Sequence, residues 1–235
     1  DPAAAAPLTA GVYVAEAPDD SGKMMPWGVV ADAESGAVLF KKPLIVFEGD
    51  VTGVVSGNGT TDSRAPHCST AAARPMKYAQ IAVPGSSSAY ADELGAYVLA
   101  TSGADPVTIT SRLSGKHFVV SDQQASRTEL LSTAVTAPAS LNFVHNLVDD
   151  EFVRAQVDGY VFPNIVRDWA LQLHPQYPVV AGQIGMPVMV NRADGYCPGN
   201  AWYDPGQVSL NFCAGSSNYA NTAFAGVAYH EYGHH

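Results

Sequence analysis

Charged side chains are scarce in this chain. Asp, Glu, Lys and Arg make up 14% of its 235 residues, and 12 Lys and Arg stand against 22 Asp and Glu, a formal net charge of −10. No basic cluster relieves that excess, which excludes a nucleic-acid backbone as the expected partner. Long apolar runs are also missing. None approaches the roughly 20 residues that cross a bilayer, and no charged-then-apolar leader opens the chain at Asp1-Pro2, so the expectation is a mature or trimmed protein with no membrane span. The three cysteines are too few for a disulfide scaffold. Cys197 and Cys213 bracket a short stretch of turn and strand signals. They read either as a cystine closing a loop of about 15 residues, worth about 3 kcal/mol in the chain-entropy picture, or as two buried thiols. The cystine reading implies an oxidising compartment and hence a secreted, extracellular or periplasmic protein. Cys68 falls among Arg64, Pro66, His67 and Ser69 in what reads as an exposed loop, and an adjacent His67 alone does not make a metal site.

What the chain has in quantity is apolar residues, 47% of the total, together with 21 Gly and 16 Pro, which reads as folded, turn-rich and partly β. Periodicity separates three zones. In residues 1–48, Val12-Tyr13-Val14, Trp27-Gly28-Val29-Val30 and Val38-Leu39-Phe40 are short β-type runs, and Ala33-Glu34-Ser35-Gly36 predicts a hairpin turn between the last two. In residues 49–138, strand-like runs at 51–55, 78–83, 97–99, 107–109, 118–120 and 130–135 alternate with clusters of turn formers. That spacing predicts an antiparallel β-sandwich, with 56–74 as a long loop. From 139 onward the period changes. Phe152, Val153, Val157, Tyr160, Val161, Ile165, Val166, Trp169, Leu171 and Leu173 recur at three- and four-residue steps behind Asp149-Asp150-Glu151, which predicts a long helix with acids at its positive end. Pro163 is expected to kink or divide it and His174-Pro175 to close it. Strands are expected again at 187–190 and 208–212.

The residues that carry chemistry are His230-Glu231-Tyr232-Gly233-His234, an HExxH pattern followed by His235. Side chains four apart share one helix face, so His230 and His234 can direct imidazole nitrogens at one metal ion. Glu231 is not a ligand in this arrangement; its carboxylate takes a proton from water at the open metal position. Asn221 or Thr222 is expected to cap this helix. Ala223, Val227, His230 and His234 follow at steps of four, three and four, so the imidazoles are expected to extend its buried face. Gly233 predicts close approach of a neighbouring segment, because glycine inside a helix costs about 1 kcal/mol relative to Ala. Trp202, Tyr203 and Tyr232 read as packing residues.

The order of shorter motifs upstream resembles a known family. Val157-Asp158-Gly159-Tyr160, then Pro187-Val188-Met189-Val190-Asn191, then Asn200-Ala201-Trp202-Tyr203-Asp204, then Ala220-Asn221-Thr222-Ala223-Phe224 and the HExxH segment follow the order of the N-terminal half of thermolysin-like and fungalysin-like gluzincin catalytic domains. The resemblance implies a zinc-dependent metalloendopeptidase acting on protein or peptide substrates. The expected fold is α+β: an antiparallel β-sandwich region in 49–138 followed, in 139–235, by the helix, mixed sheet and zinc helix that begin a zincin domain. It further implies that Asn200 and Ala201 bind substrate backbone on an edge strand. From the residues alone, Asn200 reads equally as a turn former after Pro198-Gly199. Residues 27–39 are similar to the terminal hairpin of the propeptide that precedes such enzymes, making 1–48 a propeptide end or linker. Gly49-Asp50-Val51-Thr52-Gly53-Val54-Val55 and Ala91-Asp92-Glu93-Leu94-Gly95-Ala96-Tyr97 are similar to carboxypeptidase-regulatory-like β-sandwiches, with a generic sandwich as the alternative.

In that family the third zinc ligand is a Glu on a later helix. The resemblance therefore places it, and the oxyanion-stabilising groups, beyond His235, and makes the remaining C-terminal part of the same protein an expected partner. Two ligands from one helix hold zinc weakly, so little turnover is expected of residues 1–235 by themselves. In the whole site zinc activates the attacking water and Glu231 carries its proton to the leaving amine. Two other readings stand beside this one: a secreted, non-catalytic β-sandwich module for binding or adhesion that retains HExxH as a relic, and a zinc aminopeptidase.

Overall fold

A computed structural model describes residues 10–18, 24–33, 38–43, 49–61, 70–101, 105–124 and 128–235. The expected turn at 34–36 and the pair His67 and Cys68 lie outside these residues. The chain divides into two compact units, Asp1–Glu48 and Gly49–His235. In the first, β1 (Ala10–Pro18), β2 (Met24–Asp32) and β3 (Val38–Pro43) form an antiparallel meander; Val12 pairs with Val30, and Val30 with Phe40. The expected hairpin of β2 and β3 thus gains β1 as a third strand.

The second unit runs β4 (Asp50–Thr60), β5 (Ala71–Pro75), β6 (Ala79–Ala82), β7 (Ser88–Tyr90), β8 (Ala96–Ala100), β9 (Val107–Gly115), β10 (Phe118–Asp122), β11 (Leu130–Val135), β12 (Ala139–Ser140), β13 (Phe143–His145), α1 (Glu151–Leu173), α2 (Pro178–Ala181), β14 (Met186–Arg192), β15 (Ala201–Asp204), β16 (Ser209–Cys213) and α3 (Ala225–Gly233). The fold is α+β with mixed and antiparallel sheets. One sheet is built around β4, which takes β5 and β8 antiparallel and β12 and β13 parallel. The other has the order β15-β16-β14-β10-β9-β6-β7, with β11 also on β9. Side chains alternate along these strands as a half-buried sheet requires: Ile109, Ser111 and Leu113 of β9 and Met186, Val188 and Val190 of β14 point into the core. Strand β16 is buried at every position because sheet neighbours flank it and both faces are covered.

Pairings among the strands of 49–138 are antiparallel, as the sequence leads one to expect. The expected division at 138/139, however, falls inside the second unit. β12 and β13 pair with β4, and β10 pairs with β14, so strands from both zones are hydrogen-bonded neighbours around one core. The stretch 56–74 is also not a loop throughout: β4 continues to Thr60 and β5 starts at Ala71. Glycines conceal this strand. A Cβ at Gly57 would lie 2.8 Å from Val157 Cγ1, and one at Gly59 would lie 2.5 Å from Asp158 Oδ1, so α1 comes too close for side chains.

Helix α1 is a single element of 23 residues that contains Pro163 without being divided, and His174 is its C-cap. Asp150 caps its start, accepting from Phe152 N at 2.9 Å and Val153 N at 3.1 Å. From Ala155 to Asn164 it is buried on all sides rather than along one stripe. Polar residues there reach other elements or the helix itself: Gln156 Nε2 donates to Asp122 Oδ2 at 2.8 Å, the Tyr160 hydroxyl donates to Lys77 O at 2.8 Å, and Asn164 Nδ2 donates to Tyr160 O at 2.9 Å while its buried Oδ1 has no partner among the described residues. Among the described residues no helix is long and apolar enough to cross a membrane.

β4 also runs so close to the 141 backbone that a Cβ at Gly53 would overlap the Leu141 carbonyl oxygen. Gly53→Ala is expected to lower the unfolding free energy by about 3 kcal/mol in urea titrations. Gly182→Ala, whose Cβ would meet only Pro178 O at 3.5 Å, is expected to change it by less than about 0.5 kcal/mol.

Candidate metal centre

Helix α3 carries the HExxH residues and is only nine residues long, with Phe224 as an N-cap that makes no side-chain capping bond. The expected caps are engaged elsewhere. Asn221 Oδ1 accepts from Ala223 N at 3.1 Å, and its Nδ2 donates to Asn191 Oδ1 at 2.7 Å. Thr222 Oγ1 accepts from Cys213 N at 2.8 Å and donates to Asn200 O at 2.9 Å. Both side chains fasten the segment before the helix to the sheet, and that outweighs capping.

The buried stripe of α3 is Ala225, Ala228, Glu231 and Tyr232, with Tyr232 packed edge-on against Phe118 at 5.7 Å. His230 and His234 lie on the exposed side, which corrects the expectation that the imidazoles extend the buried face. Ala223 belongs to the segment before the helix, so the stripe does not start there. Gly233 also departs from expectation: nothing lies within 4 Å of where its Cβ would be.

The two imidazoles nevertheless converge. His230 Nε2 and His234 Nε2 are 3.2 Å apart, with ring planes at 86°. Two nitrogens bound to one tetrahedral zinc at the usual bond length are about 3.3 Å apart, so the pair has the bite of two ligands on one ion. Among the described residues no group of three or more His, Cys, Asp and Glu forms around them. Between the two rings in sequence, Glu231 is 7% exposed and its Oε2 accepts from Tyr203 N at 3.0 Å. Its Oε1 has no partner among the described residues and is not sealed from solvent. His235 is turned away to the Tyr203 hydroxyl, 3.1 Å from its Nδ1, and burial pushes the imidazole below its ordinary value.

Tyr203 belongs to β15, the edge strand of its sheet, so the helix carrying the motif and the strand carrying Ala201 meet at the Glu231 carboxylate. Ala201 pairs with Phe212 and Tyr203 with Leu210 in the antiparallel ladder to β16. Since Tyr203 N–H points off the sheet, the same alternation points the N–H and C=O of Ala201 and the C=O of Tyr203 to the free edge. Asn200 immediately precedes the strand. Its carbonyl is taken by Cys213 N at 3.2 Å and by Thr222 Oγ1, while its side-chain amide bonds to nothing among the described residues. Cys197 and Cys213 form a disulfide across this turn, with Cα atoms 5.4 Å apart. Trp202 is packed as expected, under the Arg192 guanidinium at 4.8 Å and against Tyr196 at 5.2 Å.

Two further arrangements have no counterpart in the local sequence pattern. Ser111 Oγ lies 2.9 Å from His145 Nε2, and His145 Nδ1 lies 2.6 Å from Glu129 Oε2, a hydroxyl, imidazole and carboxylate in series. Ser111 and His145 are both 0% exposed, so no substrate reaches them and the series ties β9 to β13. The second is a cleft of about 700 Å³ lined by Thr60, Glu151, Arg154, Asp158, Tyr219 and Phe224, which includes neither imidazole nor Glu231. Asp158 there is 2% exposed and accepts from Thr60 N at 2.8 Å and Thr60 Oγ1 at 2.5 Å.

Burial pushes the Asp158 carboxyl from 3.8 up to about 7, against the opposing bonds from Thr60 and charges of Arg154 and Arg74. A carboxyl raised in the folded state favours folding while protonated; its contribution is complete below 3.8 and is lost as pH rises through about 7. Asp158→Asn is therefore expected to gain stability relative to the parent by a few kcal/mol between about pH 4 and pH 8. Parallel pH profiles in urea unfolding would refute the raised value.

No family model and no curated protein matches this chain.

Proposed function

We propose that this chain carries the ligand pair, general base and substrate-binding strand of a secreted, zinc-dependent metalloendopeptidase. The observation that supports the reading most directly is the 3.2 Å convergence of His230 Nε2 and His234 Nε2 on the helix that also bears a half-tethered Glu231. His230 and His234 would hold the zinc, together with a third protein ligand that the gluzincin resemblance puts beyond His235. When bound, the metal supplies a Lewis acid that polarises the scissile carbonyl and acidifies the attacking water.

The remaining work falls to residues of this chain. Tyr203 N–H fixes one oxygen of Glu231 and leaves Oε1 free to take a proton from water and return it to the leaving amine. Ala201 N–H and C=O and Tyr203 C=O offer an extended peptide a backbone ladder along the edge of β15, and the free Asn200 amide adds a donor and an acceptor at its start. Because Glu231 and the peptide ladder share Tyr203, a substrate on β15 is held in a fixed relation to the base. The Cys197–Cys213 disulfide supports an extracellular or periplasmic setting.

The test is zinc content and casein cleavage by the full-length protein and its Glu231→Gln variant. The variant is expected to keep its zinc and to lose cleavage by roughly 100-fold or more. Equal cleavage by both proteins would remove Glu231 from the mechanism, and absence of zinc from both would remove the metal.

A further inference from the structure

On α3 the two proposed ligands are on the exposed side, while Glu231 and Tyr232 between them in sequence are buried against the core. A buried contact that fixes one of these inward side chains therefore bears on how the turn from His230 to His234 is set against the core.

We propose that Gln183 supplies this contact as a tether and is a positioning residue for the ligand pair, acting through the Tyr232 hydroxyl; the inference rests on the metal-binding reading of His230 and His234. Tyr232 donates its hydroxyl to Gln183 Oε1 at 2.5 Å, in a buried contact between residues 49 positions apart. Gln183 is itself immobilised. Its Nε2 donates to His117 O at 3.0 Å, and His117 Nδ1 donates back to Gln183 O at 2.9 Å. Met186 N and Gly185 N continue this pairing with His117 O at 2.8 Å and Lys116 O at 3.1 Å, so the segment after α2 is zipped to the start of β10. Both ends of the Gln183 amide are thus used, one on the sheet and one on α3. Tyr232 lies between the two ligands in sequence and points to the opposite, buried side. Fixing its hydroxyl sets the rotation of the turn from His230 to His234 and with it the separation of the two imidazoles.

The experiment compares the parent protein with Tyr232→Phe, Gln183→Leu, the double variant and Tyr229→Phe. The last is a control that removes a hydroxyl from the same helix where Tyr229 only packs on Phe162. Amide hydrogen exchange is read at His234 and His235, and zinc affinity by titration of zinc alone, with thermal unfolding confirming that each variant is folded. Exchange about tenfold faster and zinc binding about tenfold weaker are expected in both single variants, with the double variant no worse than either and Tyr229→Phe unchanged. Unchanged exchange at His234 and His235, or losses that add in the double variant, would overturn the tether. A parent protein that binds no zinc, but whose terminal exchange still depends on Gln183, would overturn the metal reading and leave the tether supported.

Discussion

Val157 of α1 packs into the space left by Gly57 and Gly59 of β4, while Val188 and Val190 of β14 pack into the space left by Gly159 of the same helix. This reciprocal close approach brings one helix against strands of both sheets, and the remainder of the second unit follows from it. A helix clasped on two sides must be apolar or internally satisfied around its whole circumference. Three of its buried polar side chains meet that demand: Gln156 reaches Asp122, Asp158 reaches Thr60, and Tyr160 reaches the Lys77 carbonyl. The same clasp explains why strands on either side of residue 138 cannot be pulled apart into successive domains. β4 and β14 are separated by more than a hundred positions, yet both are fitted to one turn of α1.

Buried amides extend this order to the motif helix. Asn191 Nδ2 donates to Asp122 Oδ2 and to the Phe152 carbonyl, both at 2.9 Å, and its Oδ1 receives Asn221 just ahead of α3. Thr222 then links the same segment to Asn200 and Cys213, and Tyr203 meets both Glu231 and His235 at the far end. Such contacts, rather than helix propensity, dictate where α3 lies. The division of labour on α3 is physical: apolar and tethered side chains face inward, which leaves His230 and His234 exposed on the outer side.

The parts of this arrangement legible in the sequence are those written in local pattern. The three- and four-residue steps from Phe152 to Leu173 mark α1, and the acids before it supply the Asp150 cap. Alternating apolar residues mark β9, and a short apolar run marks β14. Cysteines flanking a turn and a strand mark the Cys197–Cys213 pair, and the four-residue spacing of His230 and His234 marks two nitrogens that the fold does bring to 3.2 Å. Where the reading departs from the fold, a long-range contact outweighs the local signal. Gly57 and Gly59 look like loop residues because strand propensity ignores what packs on top of a strand. Asn221 and Thr222 look like caps because capping ignores partners on distant strands. Val227 and the two histidines look like a buried stripe because periodicity defines faces of a helix and not which face meets the core.

By itself, then, the sequence determined where α1, β9 and β14 lie and the four-residue spacing of His230 and His234 around Glu231, since those properties depend on residue type and spacing within a few turns. Only the tertiary structure decided that residues 49–235 share one core, that the imidazoles face outward while Glu231 is drawn inward to Tyr203, and that Gln183 and Thr222 fasten the motif segment at its two ends. Those decisions belong to contacts between residues far apart in the chain, where the burial of a hydroxyl or an amide is favourable only if its partner is waiting on another element.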